Sequence, residues 1–170
     1  MKNELVKKIV PHVVAILLFL LVSVLFCRPV LQGNVLNQHD VAGWRGVANN
    51  AFEYKDTAGH FPLWNTNVFS GMPNYMIALD GKSILPNLQN VFGLGLPQPI
   101  SFFFIACLCF YILCLSLRVK QMVAVFGAFV YAFATYNPVI ISAGHLTKMY
   151  SIGFAPLMLA GFILAFEKKS

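Results

Sequence analysis

Residues 9–27, IVPHVVAILLFLLVSVLFC, are the stretch that decides what kind of protein this is. Only Pro11, His12 and Ser23 interrupt its apolar side chains. Nineteen helical residues at about 1.5 Å each nearly cross a hydrocarbon core of about 30 Å. The stretch therefore predicts a helix that spans a membrane.

A cleaved signal peptide is the alternative interpretation of the same stretch. Such peptides end at a cleavage site made of small residues, and no small-x-small site follows residue 27. The bulky Phe26 stands directly before Cys27, where a lipoprotein signal needs a small residue. We therefore interpret residues 9–27 as a retained first span.

The composition of the whole chain also indicates a membrane protein. Hydrophobic residues make up 58 % of the chain and charged residues 11 %, whereas soluble domains carry about 45–50 % and about 25 %. The net charge of +6 does not predict nucleic-acid binding, because the basic residues cluster beside the ends of apolar runs. The four cysteines all lie inside apolar runs, so we expect neither disulfides nor a zinc site.

Three further apolar runs predict three more spans, at residues 100–117, 122–141 and 149–166. In the middle run, small residues recur every four positions, at Ala124, Ala128 and Ala132. Small residues at that spacing let helices approach closely within a membrane. We therefore expect an all-α membrane protein that forms one membrane domain over residues 1–170. It should have about four transmembrane helices and a large outer loop, residues 32–99, carrying amphipathic interfacial helices.

The lysines and arginines are distributed unevenly between the two predicted sides of the membrane. One side collects Lys2, Lys7, Lys8, Arg118, Lys120, Lys168 and Lys169. The other side spreads its basic residues over far more polar chain, at Arg28, Arg45, Lys55, Lys82 and Lys148. The positive-inside rule therefore places both termini in the cytoplasm. The outer loop and the short turn at 142–148 then face outward.

Within the outer loop, the apolar residues between Val41 and Phe52 fall on one stripe of a helix. This pattern predicts an amphipathic helix in the membrane interface, with Asp40 as its N-cap and a break at Gly59. Two further segments are expected after the break, an irregular loop with aromatic anchors at 63–73 and a shorter helix at 86–92.

Asp40 is the residue that we expect to be catalytic. A carboxylate placed a few residues beyond a span can act as a general base towards a hydroxyl, or it can ligate a divalent cation. From spacing alone, the role as a helix cap is favoured, and the two roles are compatible. His39 adjoins Asp40, but two ligands do not make a metal site.

Four further residues are candidates for substrate binding: His145, Lys148, Trp64 and Arg45. A cation and a neutral imidazole near the start of the last span suit a phosphate or pyrophosphate headgroup. On spacing alone, the favoured role of Lys148 is to snorkel towards anionic headgroups. Trp64 suits an aromatic belt, or alternatively it stacks on a sugar face. Arg45 lies on the polar side of the predicted interfacial helix.

Five motifs follow the first span along the chain: Gln38-His39-Asp40, Leu63-Trp64-Asn65, Phe69-Ser70-Gly71-Met72-Pro73, Gly144-His145-Leu146-Thr147-Lys148-Met149-Tyr150 and Phe154-Ala155-Pro156-Leu157. In this order they resemble the start of the YfhO-like bacterial membrane proteins, which belong to the GT-C class of polytopic glycosyltransferases. The resemblance covers essentially all 170 residues. It rests on the combination, since no single motif is specific.

This resemblance implies an enzyme of the bacterial cytoplasmic membrane. GT-C enzymes take a sugar from a polyprenyl-phosphate donor on the outer face and pass it to an acceptor, here one of the cell envelope. An acidic residue in the first outer loop supplies the base or holds a metal, and the matching position is Asp40. Basic groups near the lipid phosphate would correspond to Lys148 and His145. The implied partners are membrane lipids, the donor, and the remainder of a larger polytopic chain.

A function of another class stays open, that of a non-catalytic membrane protein which binds a lipid or protein partner through its outer loop. A transporter is less favoured, because transporter spans carry intramembrane charges or broken helices and these spans are nearly free of ionisable residues. The only cofactor to consider is a divalent cation at Asp40.

Overall fold

In the computed structural model of the chain, which is mostly helical (73 %), residues 2–78 and 87–167 are described. The helices are α1 (Lys2–Phe26), α2 (Arg28–Leu31), α3 (His39–Ala58), α4 (Leu88–Phe92), α5 (Ile100–Ser116), α6 (Gln121–Ala132), α7 (Tyr136–Ala143) and α8 (Leu146–Glu167). The strands are β1 (Trp64–Asn65) and β2 (Met72–Pro73), and a 3-10 turn covers Asn74–Met76. Four residues used in the sequence analysis lie outside the described residues: Lys82, Pro86, Lys168 and Lys169.

Within the described residues, three helical stretches are long and apolar enough to cross a membrane: Val6–Phe26, Gln121–Ala143 and Leu146–Glu167. The apolar helix α5 is shorter, with 17 residues. The expectation of a mostly helical protein that is able to span a membrane is therefore confirmed. Helix α8 begins at Leu146, before the predicted start at Met149. Hydropathy marks where the apolar side chains begin, whereas the helix itself extends beyond that point into polar residues.

The chain divides into two compact units. The first, called here the helical unit, comprises residues 1–36 and 87–170 and holds all helices except α3. The second, called here the loop unit, comprises residues 37–86 and holds α3 and both strands.

In the helical unit, α1 runs antiparallel to α5. Near the start of α1, Nδ1 of His12 lies 2.6 Å from the hydroxyl oxygen of Tyr111, near the end of α5. Near the end of α1, Phe26 packs edge-on against Phe103, near the start of α5, with the ring centroids 5.1 Å apart. The two helices therefore contact each other along most of their length.

Helix α8 runs parallel to α5. Tyr150 packs edge-on against Phe102 near the start of both helices, with the ring centroids 4.6 Å apart. Beyond the other end of α5, Arg118 forms an ion pair of 3.6 Å with Glu167. Between these points, a Cβ added to Gly153 would lie 3.2 Å from a side-chain atom of α5. Most residues of α5 are buried, so α5 is the central helix of this unit.

Helix α6 packs against α5 through small residues. Ala124, Ala128 and Ala132 are all fully buried, and Sγ of Cys107 lies 3.8 Å from the carbonyl oxygen of Ala128. The close approach predicted from the alanine spacing is confirmed, because small side chains keep the two backbones near each other.

The third predicted span, 122–141, lies within the apolar stretch Gln121–Ala143, but this stretch is interrupted and is not one continuous helix. α6 ends at Ala132, and α7 begins only at Tyr136. The buried amide of Asn137 donates to the carbonyl oxygens of Tyr131 and Ala132, at 3.0 Å each. The break is stable because this side chain replaces the backbone donors that the interrupted helix lacks.

In the loop unit, α3 begins two residues earlier than expected, and the prediction of Asp40 as its N-cap is wrong. The N-cap is Gln38, whose backbone is extended, and Asp40 lies in the first helical turn. A carboxylate is stabilised there by the positive end of the helix dipole, so Asp40 suits the first turn as well as a cap. The predicted end is confirmed, since Gly59 adopts a left-handed φ of 78°.

The stretch expected as an irregular loop at 63–73 contains a small antiparallel hairpin. Trp64 pairs with Pro73 and Asn65 with Met72. The hairpin packs on α3, where Nδ2 of Asn65 donates to the carbonyl oxygen of Val47 at 3.3 Å. The short helix expected at 86–92 is α4, which begins at Leu88.

The packing of α6 on α5 leads to a test with the substitution Ala128→Leu. Ala128 is 0 % exposed, and adding carbons to a packed interface typically costs about 1–3 kcal/mol. We expect a lower midpoint of thermal unfolding in lipid nanodiscs.

The matched control is Ala165→Leu, which makes the same change at an exposed position of α8 and should leave the midpoint nearly unchanged. Equal midpoints for the two variants would contradict the close α5–α6 contact.

Candidate functional site

Asp40 is exposed in the first turn of α3, directly after the exposed His39. Its carboxylate therefore lies at the N-terminal end of the helix and is accessible to solvent. An ionised and accessible carboxylate can accept a proton from a hydroxyl group. This geometry is compatible with the role of general base expected for Asp40.

A divalent cation at Asp40 would need further oxygen ligands. Among residues 2–78 and 87–167, no group of three or more His, Cys, Asp or Glu side chains is close enough to hold a metal ion. Asp40 and His39 alone do not make a cation site. The described donor set therefore does not fit a resident metal, and we assign no chemical step to one.

His145 and Lys148 lie at the turn between α7 and α8 in the helical unit. Gly144 ends α7 with a left-handed φ of 108°, and its N–H donates to the carbonyl oxygens of Ile140 and Ile141. Both His145 and Lys148 are exposed, Lys148 in the first turn of α8. The Nζ atom of Lys148 lies 5.3 Å from the centroid of the Tyr136 ring. A ring face holds the ammonium group by a cation–π contact while the group stays accessible to an anion.

An apolar cavity of about 180 Å³ lies in the helical unit beside this turn. Side chains from the end of α1, the start of α5 and the end of α7 line it, including Phe26, Phe103 and Ile141. Its lining is almost entirely apolar, with Ser142 as the polar exception. Such a cavity suits a hydrocarbon chain and not a polar group.

A second pocket, of about 190 Å³, lies in the loop unit between α3 and β1. This pocket, called here the Trp64 pocket, is lined by Asn50, Ala51, Tyr54, Pro62, Trp64, Asn65 and Thr66. Sequence analysis identified Trp64, whose side chain is 55 % exposed, and missed the other lining residues. Neither Asp40 nor Arg45, which is exposed on α3, lines the pocket.

The position of Trp64 depends on the absence of a side chain at Gly71. A Cβ at Gly71 would overlap Nε1 of the indole. Gly71 also has a φ of 113°, and Phe69 and Ser70 before it have positive φ values of 50° and 60°. Consecutive left-handed residues are energetically costly and are retained where the surrounding structure demands them. The loop between the strands therefore holds the indole in one place.

The candidate residues fall into two groups. Asp40, Arg45 and Trp64 belong to the loop unit, whereas His145 and Lys148 belong to the helical unit. The sequence contained a partial signal for the pocket, since Asn50 and Tyr54 are one turn apart on the predicted helix and face the same way. No sequence pattern predicts that Thr66 lines the pocket, because its position depends on the pairing of β1 with β2.

The chain matches no protein-family model, and no curated protein or solved structure matches it either. The resemblance to the YfhO-like proteins therefore stays a hypothesis that rests on the motifs quoted above.

The contact between Gly71 and Trp64 leads to a test with Gly71→Ala. The added methyl group must displace the indole in addition to straining a left-handed backbone. We expect tryptophan fluorescence to become more accessible to a soluble quencher and the loop unit to be cleaved faster by protease.

Gly59→Ala serves as the control, because Gly59 also has a left-handed φ but has open space around its missing Cβ. It should cost about 1 kcal/mol of backbone strain while quenching stays at the wild-type level. Identical quenching in the two variants would show that Gly71 does not position Trp64.

Proposed function

We propose that this chain is a membrane glycosyltransferase module, which transfers a sugar from a polyprenyl-phosphate-linked donor to a cell-envelope acceptor. The observation that carries the proposal is the loop unit itself. A polar segment between apolar helices folds into its own compact unit with an aromatic-lined pocket, which is more structure than a connecting loop needs. The family resemblance supplies the reaction class.

The proposed setting is the outer face of the bacterial cytoplasmic membrane, with four crossings and both termini in the cytoplasm. The helix directions support this number. α5 is antiparallel to α1 and parallel to α8, and it contacts both along its length. If α1 and α8 cross the membrane, the central helix α5 crosses with them despite its 17 residues. The proposal also includes the larger polytopic chain that the resemblance implies.

In the proposed reaction, Asp40 is the general base. Its carboxylate takes the proton of an acceptor hydroxyl, and the hydroxyl oxygen then attacks the anomeric carbon of the donor sugar. The bond between that carbon and the phosphate oxygen breaks, and polyprenyl phosphate leaves with the electron pair. General-base assistance of this kind contributes roughly 10²–10⁴-fold in rate.

Donor binding is assigned to the helical unit. Lys148 and His145 are proposed to contact the phosphate, for which a cation in the first turn of a helix is well suited. The apolar cavity beside them is proposed to hold the first part of the lipid chain. Trp64 and Arg45, both in the loop unit, are proposed to bind the sugar portions of the substrates.

A second candidate function is supported by exposed apolar side chains in the loop unit. Leu63, directly before β1, is 92 % exposed, and Phe69, in the loop between β1 and β2, is 89 % exposed. Exposed apolar side chains of this size occur where a protein binds a partner or a lipid surface. A non-catalytic membrane protein that binds such a partner would keep its function when the carboxylate of Asp40 is removed.

The proposed topology can be tested with single cysteines, after the four native cysteines are replaced by alanine. A membrane-impermeant maleimide applied to intact cells should label Asp56→Cys at the exposed end of α3. It should not label Lys120→Cys in the α5–α6 turn until the cells are opened. The reverse pattern would overturn the orientation and the outer-face chemistry.

The base can be tested with Asp40→Asn in membranes supplied with donor and acceptor. Asparagine keeps the size of the side chain but cannot accept the proton, so we expect transfer to fall by roughly 10²–10⁴-fold. The lost interaction with the helix dipole should cost only about 0.3–1 kcal/mol of stability.

Asp56→Asn, at the other end of α3, is the control and should transfer at the wild-type rate. Near-normal transfer by Asp40→Asn would remove Asp40 as the base and would favour the binding function.

A further inference from the structure

We propose that the Trp64 pocket is a carbohydrate subsite that takes one neutral pyranose ring. The pocket volume of about 190 Å³ is close to that of a single monosaccharide and too small for a nucleotide. Its lining combines one large aromatic surface with amide and hydroxyl groups. This combination matches a pyranose, which has an apolar face of C–H groups and a rim of hydroxyl groups.

The residues that line the Trp64 pocket carry no charge, and this favours a neutral ligand. Asn50, Tyr54, Asn65 and Thr66 supply neutral donors and acceptors, and no lining residue is ionisable near neutral pH. A phosphate or carboxylate ligand would enter such a pocket without a counter-charge and would lose its hydration. A neutral polyol exchanges hydrogen bonds with water for hydrogen bonds with these side chains.

The indole offers a face for stacking that is already in position. Its Nε1 edge is against Gly71, and its side chain is still 55 % exposed. A ring held at its edge cannot turn freely, so little further order is needed when a ligand stacks on it.

The polar side of the pocket is also held in place before any ligand binds. Asn65 is buried, donates to the carbonyl oxygen of Val47 at 3.3 Å and accepts from the N–H of Asn67 at 2.9 Å. Nδ2 of Asn50 donates to Oδ1 of Asn67 at 3.0 Å. These bonds join α3 to the segment that follows β1, and they fix the distance between the two walls of the pocket.

The assignment of this subsite to the acceptor rests on the transferase function proposed above, because the lipid-linked donor is assigned to the helical unit. Sugar binding itself does not depend on catalysis. The pyranose could belong to a soluble glycan or to the headgroup of a glycolipid, and the chemistry of recognition is the same.

The experiment is saturation-transfer difference NMR on the intact chain in phosphatidylcholine nanodiscs, prepared without glycoside detergents. The probes are the methyl glycosides of glucose, galactose, mannose and N-acetylglucosamine. We expect saturation of ring protons in at least one probe, and loss of that signal in Trp64→Ala. Thr66→Val should weaken binding by roughly two- to twelvefold, as for one lost hydrogen bond.

Tyr75→Ala is the matched control, because Tyr75 is an exposed aromatic residue of the same unit outside the pocket. It should bind like the wild type. If Trp64→Ala proves protease-sensitive, Thr66→Val and Tyr54→Phe carry the test. No saturation in any probe, or an equal loss in Tyr75→Ala, would overturn the proposal. Displacement of the probe by inorganic phosphate would overturn its neutral ligand class.

Two further measurements distinguish a glycolipid from a soluble glycan, and the carbohydrate subsite from the transferase function. Nanodiscs that contain monogalactosyl diacylglycerol should reduce the signal if the ligand is a glycolipid headgroup, and should leave it unchanged if the ligand is a soluble glycan. If the probe binds but no sugar transfer is detected, the transferase function is overturned and the carbohydrate subsite is retained. If sugar is transferred but the probe does not bind, the carbohydrate subsite is overturned.

Discussion

The structure depends on one constraint, the need of every backbone N–H and C=O group in an apolar environment to find a partner. The continuous helices α1, α5 and α8 satisfy this requirement with their own backbone hydrogen bonds. The interval between α6 and α7 would violate it, and there the amide of Asn137 donates to the two carbonyl oxygens that face the gap. One polar side chain thus allows a break in an otherwise apolar segment.

The loop unit meets the same need by a different route. Among its residues up to 78, the buried apolar side chains are those of Ala48, Ala51 and Ala78. Side-chain-to-backbone hydrogen bonds supplement this core. Nε1 of Trp44 donates to the carbonyl oxygen of Ile77 at 2.6 Å, and Nδ2 of the buried Asn74 donates to that of Ala78 at 2.8 Å. Because hydrogen bonds are directional, such a unit holds a defined shape with little buried apolar surface.

Sequence patterns predicted the parts of the fold that depend on local periodicity. The apolar runs, the alanine spacing of α6 and the stop at Gly59 each follow from residues close in the chain. The N-cap of α3 was predicted two residues too late, because an aspartate such as Asp40 is favoured both at an N-cap and in the first helical turn. The hairpin and most of the Trp64 pocket were missed because they depend on pairing across the loop and on left-handed residues at Phe69 and Ser70. The Asn137-Pro138 dipeptide was an available signal for the helix break.

The central place of α5 has a consequence for the order in which the protein is made. During synthesis, α5 follows α1 and precedes α6 and α8, the two other long helices that pack against it. Its contact surface for Gly153 is therefore uncovered until α8 has been translated. α5 therefore packs against α1 alone until α6 and α8 have been made, so its packing is completed only with α8. Ribosome pausing between α5 and α8 would prolong the interval in which part of the α5 surface is uncovered.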